Sequence, residues 1–129
     1  MKLEHIGIAV RDINASLEQF RTLFGAEPYK VEDVASEGVR TYFFDAGGSK
    51  IELLEATTSD SPIARFLDKR GPGLHHLAFS SEDIDADWDR LSKAGYTLIG
   101  EGPKAGADGK SIFFVHPRDT EGVLTEFCF

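Results

Sequence analysis

Hydrophobic residues alternate with small or polar ones along Leu3-Glu4-His5-Ile6-Gly7-Ile8-Ala9-Val10, then recur every three or four positions at Ile13, Leu17, Phe20 and Phe24. The first period is that of a strand and the second that of a helix. Asp12 stands where the helix needs a capping oxygen, and Gly25 stands where a left-handed residue would end it. Residues rich in β-formers follow from Tyr29 to Val34 and from Val39 to Phe44, separated by the polar turn Ala35-Ser36-Glu37-Gly38. Ala46-Gly47-Gly48-Ser49 then reads as a hairpin turn into Lys50 to Leu54. The predicted order is strand, helix and three strands.

That order is then written a second time. At a shift of 71 positions His5 meets His76, Asp12-Ile13 meets Asp83-Ile84 and Phe20 meets Leu91. Such internal similarity governs the reading of everything else. In the second copy Gly73 to Ser80 is a strand, and Asp83 caps a helix with Ile84, Trp88 and Leu91 on one face, ended by Gly95. Tyr96 to Ile99 reads as a short strand, Glu101 to Gly109 as a Gly- and Pro-containing loop, and Ser111 to Val115 and Val123 to Phe127 as the last two strands. Between the copies Ser61, Pro62, Ile63, Phe66, Leu67, Lys69, Arg70 and Gly71 spell a short capped helix. The prediction is therefore an α+β chain of two tandem βαβββ modules, about 1–56 and 73–129, joined by a connector helix at about 61–70. The pattern favours two small sheets, each with a helix on one face and the other face lining a shared cleft.

Length strengthens this picture. The chain has 129 residues, one ordinary domain, whereas half of it is marginal for burying a core, so the copies should fold as one body. The single cysteine, Cys128, excludes an internal disulfide, and no apolar run approaches the roughly 18 residues of a membrane span. The chain reads as cytoplasmic, with no membrane partner. A net charge of −8 argues against non-specific binding of nucleic acid, which needs clustered Lys and Arg. An anionic ligand would have to be met locally, with Lys69, Arg70, Lys104, Lys110 and Arg118 as candidates.

Candidate chemistry comes from the overlay. Alternation places His5 on one face with Gly7 and Ala9, and His76 with Ala78 and Ser80. The opposite face, Ile6, Ile8 and Val10, is the side a helix would cover. Lys50-Ile51-Glu52-Leu53-Leu54 pairs with Leu124-Thr125-Glu126-Phe127-Cys128, so Glu52 and Glu126 occupy equivalent places in two apolar strands. A charge there is costly unless it is paired or holds a metal. A lone strand histidine ordinarily serves as a hydrogen bonder, but two histidines and two glutamates at matching places call for a joint explanation. His5, Glu52, His76 and Glu126 suit a divalent first-row metal with positions left for substrate. His75 falls on the Leu77 side, and His116, beside Pro117, has no counterpart in the overlay.

The two-copy pattern with this quartet resembles the vicinal oxygen chelate superfamily, which includes glyoxalase I, extradiol dioxygenases and antibiotic-resistance proteins. Within it the chain is similar to the methylmalonyl-CoA epimerase family, on Lys50-Ile51-Glu52-Leu53-Leu54, on Asp60-Ser61-Pro62-Ile63-Ala64-Arg65-Phe66-Leu67 leading to Gly73-Leu74-His75-His76, and on His116-Pro117-Arg118. The resemblance implies a cupped eight-stranded mixed sheet around a metal-centred cleft, and metal ligands at His5, Glu52, His76 and Glu126. It implies a divalent ion (Co2+, Mn2+, Zn2+ or Ni2+), a small acyl-CoA substrate, a homodimer, and epimerisation of (R)- and (S)-methylmalonyl-CoA through a metal-stabilised enolate. Glu126 and Glu52 are then the acid/base pair. One departure matters: Thr41 stands where at least one relative carries a glutamate. The alternatives are a glyoxalase-type isomerase or lyase using the same quartet, and a metal-free small-molecule-binding protein of the resistance type.

Overall fold

The structure, a computed structural model, describes residues 1–129. Eight strands and three α-helices follow in the order β1 (Lys2–Ala9), α1 (Ile13–Phe24), β2 (Lys30–Val34), β3 (Val39–Asp45), β4 (Lys50–Ala56), α2 (Pro62–Arg70), β5 (Gly73–Ser80), α3 (Ile84–Lys93), β6 (Leu98–Ala105), β7 (Ser111–Val115) and β8 (Thr125–Cys128). This is the βαβββ order twice, with α2 between. The strands are hydrogen-bonded as one eight-stranded sheet in the order β2-β3-β4-β1-β5-β8-β7-β6, rather than as two separate sheets. It is mixed: β2–β3, β3–β4, β6–β7 and β7–β8 are antiparallel, and β5–β8 is parallel. The fold is α+β, with the single eight-stranded mixed sheet that the resemblance implies.

By contacts the chain divides into two compact units, Ile6–His75 and Met1–His5 with His76–Phe129. In the Ile6–His75 unit the Asp12 carboxylate accepts from the Ala15 N–H at 3.2 Å and Gly25 closes α1 at φ 62°. The apolar face of α1, with Ile13, Leu17 and Phe20, packs on Ile8, Val10, Phe44 and Leu53, as alternation in β1 predicts. The other face of the same strands carries Ala9, Val39 and Leu54, covered by Ile63 and Leu67 of α2. The hydroxyl of Ser61 caps α2 by accepting from the Ala64 N–H at 3.1 Å. Gly38 lets the β2–β3 turn approach that cap. Its φ is +61°, and a Cβ there would stand 2.6 Å from Thr58 Oγ1 and 2.7 Å from Ser61 Cβ.

The second unit is built likewise. Asp83 caps α3 through the Ala86 N–H at 3.0 Å, and Ile84, Trp88 and Leu91 pack on Phe113, Val115, Phe127 and Leu98. The rings of Phe113 and Phe127 stack at 5.1 Å. The opposite face of β5, β7 and β8 carries Ala78, Ile112, Phe114 and Cys128.

Three boundaries depart from the sequence reading. Much of the predicted loop Glu101 to Gly109 is strand, since β6 runs to Ala105 before a short 3-10 turn, Ala107–Gly109. Gly100, Gly102 and Pro103 are compatible with the strand because they fall at its register shift, between the paired Ile99 and Lys104, on an edge of the sheet. The last strand begins at Thr125 rather than Val123 and reaches Cys128. Helix α3 stops at Lys93, with Ala94 still right-handed and Gly95 taking the positive φ of 88°.

Candidate metal centre

Three of the four predicted ligands belong to one compact unit: His5 from β1, His76 from β5 and Glu126 from β8. The parallel ladder sets Ala78 beside Glu126, and His76 lies two residues earlier on the face of Ala78. The imidazoles meet edge to face, centroids 5.1 Å apart, with His5 Nε2 and His76 Nε2 at 2.9 Å. Glu126 Oε2 lies 3.2 Å from His76 Nε2 and 3.7 Å from His5 Nε2. All three residues are at most 6% exposed. Burial works to raise the Glu126 pKa, but the His5 and His76 imidazoles beside it outweigh that and hold the group down at about 2. A carboxylate anion is thus kept in the protein interior with two ring nitrogens turned toward it.

That donor set fits a divalent ion. Two imidazole nitrogens and a carboxylate oxygen, brought together out of solvent, match the preference of zinc, cobalt, manganese and nickel for mixed N/O ligands. Glu52 lies in the other unit, in the middle of β4 and 4% exposed, with Phe43 directly across the ladder. Glu126 has Phe114 across its ladder. The sequence repeat therefore extends to the pairing register, with a Phe opposite each buried Glu. Thr41, 1% exposed, sits between Glu32 on β2 and Leu54 on β4.

The competing histidines are accounted for elsewhere. The His75 ring packs edge-on against Phe66 at 4.9 Å. His116 Nδ1 accepts from the Arg118 N–H at 3.1 Å and caps the 3-10 turn Pro117–Asp119. Among the cations proposed for an anionic ligand, Arg118 donates to Thr97 Oγ1 at 2.8 Å and Arg70 lies 5.9 Å from the Phe66 ring centre. Both are tied to local structure.

One residue of this centre escaped the sequence reading. Glu4 is 7% exposed and its carboxylate is hydrogen-bonded to Nδ1 of His5. Strict alternation sends Glu4 and His5 to opposite faces, so the pattern gave no reason to join them. The only signal was a carboxylate immediately before a histidine, inside a strand.

The model of the Glyoxalase/Bleomycin resistance protein/Dioxygenase superfamily matches residues 4–114. A protein of Cereibacter sphaeroides named ethylmalonyl-CoA/methylmalonyl-CoA epimerase is 43% identical over 127 residues, spanning 97% of this chain and 95% of its own length. The mitochondrial methylmalonyl-CoA epimerase of Homo sapiens is 36% identical over 126 residues, spanning 97% of this chain and 72% of its own. Among solved structures, a variant of the Streptomyces coelicolor methylmalonyl-CoA epimerase in complex with 2-nitronate-propionyl-CoA superposes with a TM-score of 0.91 at 37% identity, covering 99% of this chain and 93% of that one.

Proposed function

Since this chain belongs to the glyoxalase/bleomycin resistance/dioxygenase superfamily, we propose that it interconverts (R)- and (S)-methylmalonyl-CoA by removing and returning the proton at the malonyl α-carbon. The observation that carries this reading is the buried meeting of His5, His76 and Glu126, in a chain that matches named epimerases over nearly its full length.

In this reading His5, His76, Glu126 and Glu52 hold a divalent ion, Co2+, Mn2+, Zn2+ or Ni2+. Glu52 is assigned by its place in the repeat and its burial in an apolar strand. When bound, the ion supplies positive charge to the thioester oxygen and malonyl carboxylate as the α-carbon loses its proton. Glu126 and Glu52 are the acid/base pair: one takes the α-proton, the electron pair moves onto the thioester oxygen, and the other returns a proton to the opposite face. The lowered pKa keeps Glu126 ionised, the form that can receive a proton. The imidazoles orient the carboxylate, and the buried strands keep bulk water from the reacting carbon. On the same footing the protein acts on an acyl-CoA in the cytoplasm, as a homodimer. No helix is long and apolar enough to cross a membrane.

The test is proton NMR of methylmalonyl-CoA in deuterium oxide with the purified protein, before and after chelation. Loss of the α-proton signal that stops on chelation and resumes with added Co2+ is the expected result. A metal-replete protein that leaves the α-proton in place would refute the epimerase and direct attention to glutathione hemithioacetals, substrates of the glyoxalase-type alternative. Exchange that persists after exhaustive chelation would refute the role given to the ion.

A further inference from the structure

His5 has two ring nitrogens, and the structure engages both. Nε2 lies 2.9 Å from His76 Nε2 and turns toward Glu126, while Nδ1 meets the carboxylate of Glu4. A carboxylate accepts, so the hydrogen on the Glu4 side belongs to His5 Nδ1. Neutral His5 then presents a lone pair at Nε2. The network thus assigns His5 to the single tautomer whose Nε2 can ligate.

Cys128 lies on the same side. A Cys128 sulfur, a Glu4 oxygen and a His5 nitrogen all fall within 4.8 Å of one another. The Cys128 thiol donates to the Phe79 carbonyl at 3.5 Å, and its residue is packed with Ala78 and Ile112. Glu4 thus sets a carboxylate against Nδ1, in a place 7% exposed where its charge is poorly screened.

We propose that Glu4 is a positioning residue of the metal centre: by accepting from His5 Nδ1 it fixes the tautomer of His5, makes Nε2 a stronger donor and raises affinity for a divalent ion. This rests on the reading that His5, His76 and Glu126 bind such an ion. A carboxylate on the far nitrogen of a ligating histidine typically changes metal affinity by about 10- to 100-fold.

Two variants separate charge from the hydrogen bond. Glu4→Gln keeps shape and an acceptor but removes the charge; Glu4→Leu removes both. Two measurements on purified, chelator-stripped full-length protein read them: equilibrium dialysis with Co2+, and nitrogen NMR of the histidine rings without metal. Expected are a Co2+ Kd weakened about 10-fold in Glu4→Gln and up to about 100-fold in Glu4→Leu, with His5 losing its fixed Nδ1–H form in Glu4→Leu. Unchanged circular dichroism in Glu4→Gln separates this from misfolding.

Co2+ affinity within twofold of the parent in both variants, or an Nε2–H tautomer for His5 in the parent, would overturn the proposal. A parent that binds no Co2+ yet shows the Nδ1–H tautomer would sink the metal reading and, with it, the positioning role of Glu4. Replacing His76 by Gln supplies the last control and should abolish Co2+ binding. Retention with a sulfur-to-cobalt absorption band would make Glu4 and Cys128 ligands themselves and end the positioning role.

Discussion

In the Ile6–His75 unit, β3 and β4 set Phe43 across from a buried Glu52; in the unit completed by His76–Phe129, β7 and β8 set Phe114 across from a buried Glu126. The pairing is equivalent, while each unit adds neighbours of its own. In the first unit the same face continues into Val39 and Leu54, which Ile63 and Leu67 of α2 cover. In the second it carries His5 and His76 within reach of the carboxylate, and the His76 ring lies 5.7 Å from Phe114. A repeated ladder can thus place a carboxylate in the interior twice. Glu126 is stabilised as an anion within its own unit, and the roles of its counterpart follow from the repeat.

The sharpest way to break this comparison is to treat both glutamates alike. Glu126→Gln is expected to slow deuterium incorporation into methylmalonyl-CoA by at least the 10²- to 10⁴-fold typical of a lost general base, roughly 3 to 5 kcal/mol. Glu52→Gln should do comparable damage. Near-normal exchange in either variant would remove that residue from the acid/base pair and show that the repeat is structural there.

Next in size is a comparison of the two tight glycines. Gly38→Ala must place a side chain at φ +61° and 2.6 Å from Thr58 Oγ1, so chemical denaturation should report a loss of about 1–3 kcal/mol. Gly106→Ala meets only the side chain of Ile112, at 2.7 Å, and has an ordinary negative φ. Its loss should be about 1 kcal/mol. Equal losses would mean that backbone conformation contributes nothing at Gly38.

The smallest effect is electrostatic. Asp87 has its pKa lowered, chiefly by the Ser81 hydroxyl at 2.6 Å, against burial and with help from Arg90. A carboxyl whose folded pKa is depressed contributes stability at pH above its ordinary range and loses it as pH falls through the folded value. Asp87→Asn should therefore lower Tm at pH 7, by an amount that shrinks as the pH is taken below 3.8, the ordinary aspartate value. Asp33, in the other unit, is also lowered, by its hydrogen bond to Arg40, but it is exposed. Solvent screening predicts no measurable change in Tm for Asp33→Asn. A larger effect at Asp33 than at Asp87 would reverse the ranking of the two units.

The parts legible in the sequence were those where one period dominates. Asp12, Ser61 and Asp83 each precede a helical run and each caps a helix. The histidines and glutamates stood out because two copies placed them alike. What alternation could not convey was contact along one strand: Glu4 reaches His5 from the next position. Nor could composition reveal β6, where Gly100, Gly102 and Pro103 carry the statistics of a loop but lie at the register shift between two paired stretches of an edge strand.

The first strand belongs by sequence to the first copy, yet its opening residues, Met1–His5, group with the second. A division of the chain at its sequence repeat therefore does not follow its compact units. A product starting at Gly73 would inherit His76 and Glu126 but leave His5 behind. The three side chains meet only in the joined chain, and neither half carries them all.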